Sequence, residues 1–113
     1  MNRDLVTLAQ ILERIERIEG SGLSRELFFE HPWDQDALIR NLEVIGEASK
    51  RLSTHTKAMA PEVEWKLVAG YRDVATHGYD QVSLDRTWAL VERNLPALKR
   101  SIHAVLKKLE PRR

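Results

Sequence analysis

The chain has 113 residues, 18 basic against 17 acidic, and no cysteine. That length suits one domain, residues 1–113, with its own hydrophobic core, and the near-balanced charge excludes a protein that coats nucleic acid by bulk electrostatics. The lack of cysteine excludes disulfides, thiolate metal sites and cysteine nucleophiles. No run approaches the roughly 18 consecutive apolar residues that span a bilayer, and the polar start Met1-Asn2-Arg3-Asp4 has no signal-peptide core, so a cytoplasmic protein without a membrane partner is expected.

From Asp4 to Glu19, Leu5, Leu8, Ile11, Leu12, Ile15 and Ile18 recur at helical spacing, with Glu13, Arg14, Glu16 and Arg17 on the wet face. Gly20-Ser21-Gly22 ends this first helix. Ser24 to Glu30 predicts one or two helical turns around Leu27, Phe28 and Phe29, stopped by His31-Pro32. Asp34 can cap a long second helix running to about Leu52, with Leu38, Leu42, Ile45, Ser49 and Leu52 on one stripe.

Asn41 lies at the edge of that stripe and is either a structural link or a support near the site, because a buried amide needs partners. Gly46 costs helix propensity, about 1 kcal/mol against alanine, which points to close approach of another helix. Glu47, opposite the stripe, is either solvated or buried between subunits.

Ser53 to Ala60 reads as a polar connection with an exposed His55, and Pro61 leads into a third helix from about Glu64 to Thr76, anchored by Trp65 and Leu67. Ser83 or Asp85 can start a fourth helix through Leu84, Trp88, Val91 and Leu95. Pro96 removes a backbone donor and crowds the preceding turn. A kink or break near Asn94 is therefore expected, before a last helix through Leu98, Ile102, Val105 and Leu109, with His103 structural or exposed. The cluster Lys99, Arg100, Lys107, Lys108, Arg112 and Arg113 is either a basic rim or a solvated helix face. No stretch alternates with period two, so the predicted fold is all-α, an up-and-down bundle of four to five helices.

The chemistry is concentrated in Tyr71-Arg72-Asp73-Val74-Ala75-Thr76-His77-Gly78-Tyr79-Asp80, at the predicted end of the third helix. A guanidinium grips phosphate oxygens by two hydrogen bonds and a histidine titrates near neutrality, a pair suited to cleavage or transfer at a phosphodiester. The simpler alternative is a last-turn histidine that complements the helix dipole. On a continuous α-helix Arg72 and His77 stand roughly 140° apart, so one copy cannot easily aim both at one phosphate, whereas two copies across a twofold axis can share a cleft. Gly-rich phosphate loops, His-Glu-x-x-His zinc pairs, Gly-x-Ser-x-Gly elbows and clustered carboxylates are all missing from the sequence. Metal-free, cofactor-free chemistry is expected.

Arg72, four residues, His77, one residue and Tyr79 form an Arg-x4-His-x-Tyr pattern, with a polar Asp73 after the arginine. Together with Gln35-Asp36-Ala37-Leu38-Ile39-Arg40-Asn41-Leu42-Glu43-Val44-Ile45-Gly46-Glu47-Ala48 and Val63-Glu64-Trp65, this pattern resembles the HepT-like toxins of the HEPN (higher eukaryotes and prokaryotes nucleotide-binding) superfamily. Tyr71 and Ala75 depart from it, standing where a methionine and a bulkier aliphatic are expected.

The resemblance implies a HEPN-like homodimer acting as a metal-independent endoribonuclease toxin, with a composite cleft between subunits. Arg72 would hold the scissile phosphate and His77 would act as general base or acid at a ribose 2′-hydroxyl. Asp73 would either orient one of them or face solvent. The implied partner is a minimal nucleotidyltransferase antitoxin of the MntA type, which adds AMP to the tyrosine corresponding to Tyr79. The alternative is a catalytically silent HEPN module that binds nucleotide or a partner protein.

Overall fold

The computed structural model describes residues 2–75 and 80–109, with the backbone alone at 2, 72, 74 and 75; no strand occurs among them. Helix α1 (Asn2–Glu19) buries Leu8, Ile11 and Ile15 completely, on the stripe that its sequence predicts. Helix α3 (Pro32–Lys50) lies along it and contributes Leu38, Leu42 and Ile45, while α7 (Leu95–Leu109) covers the other flank with Leu98, Ile102 and Val105. Each such side chain, taken wholly out of water, contributes about 1.5–3 kcal/mol. The core is the seam between these three long helices.

The short helix expected over Ser24–Glu30 is present, whereas the start of the long helix after it differs from the expectation. Helix α2 (Arg25–Glu30) is capped by Ser24, whose hydroxyl accepts from the Leu27 N–H, and the buried Gln35 amide donates to the Phe28 carbonyl at its far end. The long helix after it does not start at an Asp34 cap. Pro32 occupies its first turn, where its missing N–H costs nothing, and Asp34 lies inside that turn near the positive end of the dipole. It also ends at Lys50, short of Leu52.

The stretch expected as a polar connection contains α4 (Thr54–Ala58), capped by Ser53. Its Thr56 is fully buried because its hydroxyl, with the Ser53 hydroxyl and N–H, donates to the carboxylate of Asp4 on α1. Asp4 is itself only 5% exposed. These hydrogen bonds, the Ser53 hydroxyl first, hold its carboxyl below the usual carboxylate range.

The third helix is mixed. An α-helical turn, α5 (Trp65–Ala69), tightens into a 3-10 helix over Gly70–Ala75. Helix α6 (Gln81–Ala89) starts before the expected Ser83 or Asp85: Asp80 is its cap and accepts from the Ser83 N–H at 2.8 Å. The break expected near Asn94 is a π turn over Leu90–Asn94, in which the Leu95 N–H bonds to the Leu90 carbonyl, so α6 and α7 form one continuous rod. The wider turn makes room where Pro96 lacks a donor for the carbonyl one turn back and its ring crowds that group.

Candidate functional site

A glycine on α3 seats the chemistry-bearing segment. A Cβ built on Gly46 would stand 3.0 Å from the Val68 carbonyl oxygen, 3.3 Å from that of Ala69 and 3.6 Å from the Tyr71 Cβ. Only hydrogen at this position lets α5 and the 3-10 helix lie flat on α3. Val68 and Tyr71, 3% and 2% exposed, fill the contact, which confirms the close approach that Gly46 predicts. Leu67, in contrast, is 37% exposed and is not an anchor: the α-helical turn directs its neighbour Val68 inward instead. Trp65 fastens the start of α5 by donating its indole N–H to the carbonyls of Lys57 and Ala60 at 3.1 and 3.2 Å.

Arg72 lies on this locked 3-10 helix, directly after the buried Tyr71, and Asp73 beside it is exposed. Winding as 3-10 turns about 120° per residue, so the roughly 140° estimated for a continuous α-helix does not carry over to this segment. His77, Gly78 and Tyr79 lie outside the described residues. Both flanks of that stretch are fixed, however, Ala75 by the 3-10 helix and Asp80 by its capping bond to α6.

Asn41 is a structural link. Its carbonyl oxygen accepts from Arg14 of α1 at 3.2 Å and its amide donates to the Ala37 carbonyl at 2.8 Å, tying α3 to α1. Glu47 is exposed and accepts from Lys50. The basic cluster divides. Lys99 pairs with Glu19 at 2.7 Å and Lys108 donates to the Met59 carbonyl, so these two hold helices together, while Arg100 and Lys107 are exposed. His31, His55 and His103 are all exposed. Among the described residues no group of histidine, aspartate and glutamate is arranged to hold a metal ion, and no helix is long and apolar enough to cross a membrane.

A family model for "Ribonuclease HepT-like" proteins matches residues 9–105, spanning both the Gly46 platform and the segment that it carries. The chain belongs to the HepT-like ribonuclease family. It is 40% identical to the "Probable ribonuclease HepT" of Thermococcus cleftensis over 81% of this chain and 86% of that protein. It is 35% identical to "Putative RNase TTE0752" of Caldanaerobacter subterraneus over 83% of this chain and 82% of that protein. A Methanocaldococcus jannaschii protein named "Gamma-glutamylcyclotransferase and putative RNase MJ0434" is 35% identical over 97% of this chain, which spans about half of that relative, 51%. No solved structure gives a significant match.

The frame missed by sequence reasoning is the Asp4, Ser53 and Thr56 cluster, together with the α4 helix that it pins. Serine three residues before a buried threonine is a weak signal, and the aspartate that joins them is 49 residues away from Ser53 in the chain.

Proposed function

We propose that this HepT-like ribonuclease is a metal-independent endoribonuclease toxin that works as a homodimer, with Arg72 and His77 as its catalytic pair. The observation that carries the reading is the Arg-x4-His-x-Tyr signature starting on a 3-10 helix that Gly46 and Tyr71 fix to the core. The backbone that carries Arg72 is thereby anchored to the core, which limits where a group on it can be presented.

In the proposed step, His77 takes the proton of a ribose 2′-hydroxyl as its oxygen attacks the adjacent phosphorus. The bond from phosphorus to the 5′-oxygen breaks, and a protonated histidine, in the shared cleft that of the second copy, returns a proton to the leaving oxygen. The products are a 2′,3′-cyclic phosphate and a free 5′-hydroxyl. Arg72 neutralises the charge that builds on the phosphoryl oxygens. Val82, 58% exposed two residues beyond Asp80, offers apolar surface beside the motif for the second copy. A minimal nucleotidyltransferase silences the enzyme by adding AMP to Tyr79, in the same prokaryotic cytoplasm.

Expression of the chain alone in a bacterial host, compared with His77→Ala and Arg72→Ala, tests this reading. Growth arrest with RNA breakdown is expected from the wild type only. A wild type that binds nucleotide but neither arrests growth nor cuts RNA would identify a silent module instead.

A further inference from the structure

Between the Glu62–Tyr71 stretch and the rod of α6 and α7 lies a groove of about 220 Å³. Its polar lining is Glu62, Glu64, Tyr71, Arg93, Asn94 and Ser101, and its apolar base includes Val68 and Leu98, each 3% exposed. Arg93 and Asn94 come from the π turn, a distortion that tends to occur where a protein places functional side chains. Tyr71 immediately precedes Arg72, so the groove opens one residue from the proposed phosphate-holding arginine.

The charge of the groove decides which part of an RNA it takes. Glu62 accepts from the Ser101 hydroxyl at 2.7 Å, which keeps its carboxyl ionised well into acid, and Glu64 makes no capping bond to α5. Two carboxylates repel a phosphodiester but accept N–H donors, so this wall suits a base rather than the backbone. A carboxylate receives two parallel N–H groups, and guanine alone presents two adjacent donors, N1–H and the N2 amino group. Adenine and cytosine set a ring acceptor beside the amino group, and uracil sets carbonyls on both sides of its imino group.

Donors line both walls, Tyr71 on the side of the carboxylates and Arg93 and Asn94 opposite them. Burial, and then the Glu64 charge, pushes the Tyr71 phenol up to about 12, so it remains a donor at neutral pH. Arg93 and the Asn94 amide add further N–H groups, which match the O6 and N7 acceptors of guanine. Of the two carboxylates Glu64 is the one available, since Glu62 already serves Ser101.

We propose that this groove is a guanine subsite, with Glu64 accepting N1–H and the N2 amino group while Tyr71, Arg93 and Asn94 face O6 and N7, so that cleavage falls next to guanosine. Its link to cleavage rests on the ribonuclease reading above, but base binding does not.

Two-dimensional amide NMR of the intact protein, titrated with the 3′-monophosphates of guanosine, adenosine, cytidine and uridine, tests it directly. Guanosine monophosphate is expected to bind about tenfold more tightly than the other three and to shift amides in residues 62–71 and 93–101. Glu64→Gln, an exposed position, should lose that advantage and leave the other three unchanged, because an amide turns a donor toward guanine's own donors. Equal affinity for all four nucleotides, or an unchanged preference in Glu64→Gln, would overturn the subsite. Oligoribonucleotides with a single guanosine separate the two readings. Guanosine binding without any cleavage removes the ribonuclease and leaves the subsite, while cleavage indifferent to base in wild type and Glu64→Gln alike removes the subsite and leaves the ribonuclease.

Discussion

A methyl group on Gly46 would stand 3.0 Å from the Val68 carbonyl oxygen, a distance set by backbone on both sides. Backbone cannot rotate away as a side chain can, so a larger residue must push α5 and the 3-10 helix off α3. Gly46→Val is therefore expected to destabilise the fold by about 1–3 kcal/mol and to reduce RNA cleavage by more than the loss of folded protein explains. Denaturant midpoints and specific activity of the folded fraction measure the two effects. Wild-type values for both would mean that the close approach does not position the site.

Asp4 predicts a pH dependence of stability. Its folded pKa is depressed, so its contribution is fully present above the unfolded value of roughly 3.9 and is lost as pH falls through the lower folded value. The melting temperature should thus drop more steeply below about pH 4 in the wild type than in Asp4→Asn. Asp4→Asn should also be less stable at pH 7, by about 2 kcal/mol, because it leaves the Ser53 and Thr56 donors poorly matched. Parallel acid limbs for the two proteins would assign the acid response to other carboxylates.

Dimerisation is expected at micromolar concentration, and sedimentation should show twice the chain mass. A strict monomer that still cuts RNA would remove the shared cleft and leave the catalytic pair to be arranged within one chain.

Tyr79 is the proposed site of silencing. An adenylyl group there, two residues from His77 in the chain, would add a bulky anion to the proposed phosphate-binding segment and repel RNA. Incubation with a cognate minimal nucleotidyltransferase and ATP should add one or more AMP units to the intact mass and stop cleavage. Tyr79→Phe should take up none and stay active; equal modification of that variant would place the switch on another residue.

Much of this architecture was legible in the sequence, for reasons that particular residues make plain. Ile11, Ile15, Leu42, Ile45, Ile102 and Val105 reveal their helices because burial imposes a 3.6-residue period, and Gly46 announces a close approach because little else justifies glycine inside a helix. The misses share another cause. Where α3 and α6 begin, on Pro32 without a side-chain cap and behind an Asp80 cap, is decided by the path of the preceding chain rather than by which polar residue could cap. The 3-10 winding of Gly70–Ala75 arises from tertiary crowding, which leaves the local pattern unchanged, whereas Pro96 announces the distortion near Asn94 but not its form, a π turn. The groove was invisible because its two walls lie about 30 residues apart in the chain. Arg72, His77 and Tyr79 stand out in the sequence by their spacing, Asp73 and Asn41 by their nearness to that pattern or to the core stripe; of these, Asn41 ties α3 to α1.

The most direct measurement of the central claim is cleavage of a defined RNA by purified wild-type protein, Arg72→Ala, Arg72→Lys and His77→Ala, with folding of each checked by circular dichroism. The wild type should yield fragments ending in a 2′,3′-cyclic phosphate. All three variants should lose at least about a hundredfold in rate while melting close to the wild type, the lysine variant included because an ammonium cannot make the two-pronged contact. Full cleavage by folded His77→Ala would contradict the account.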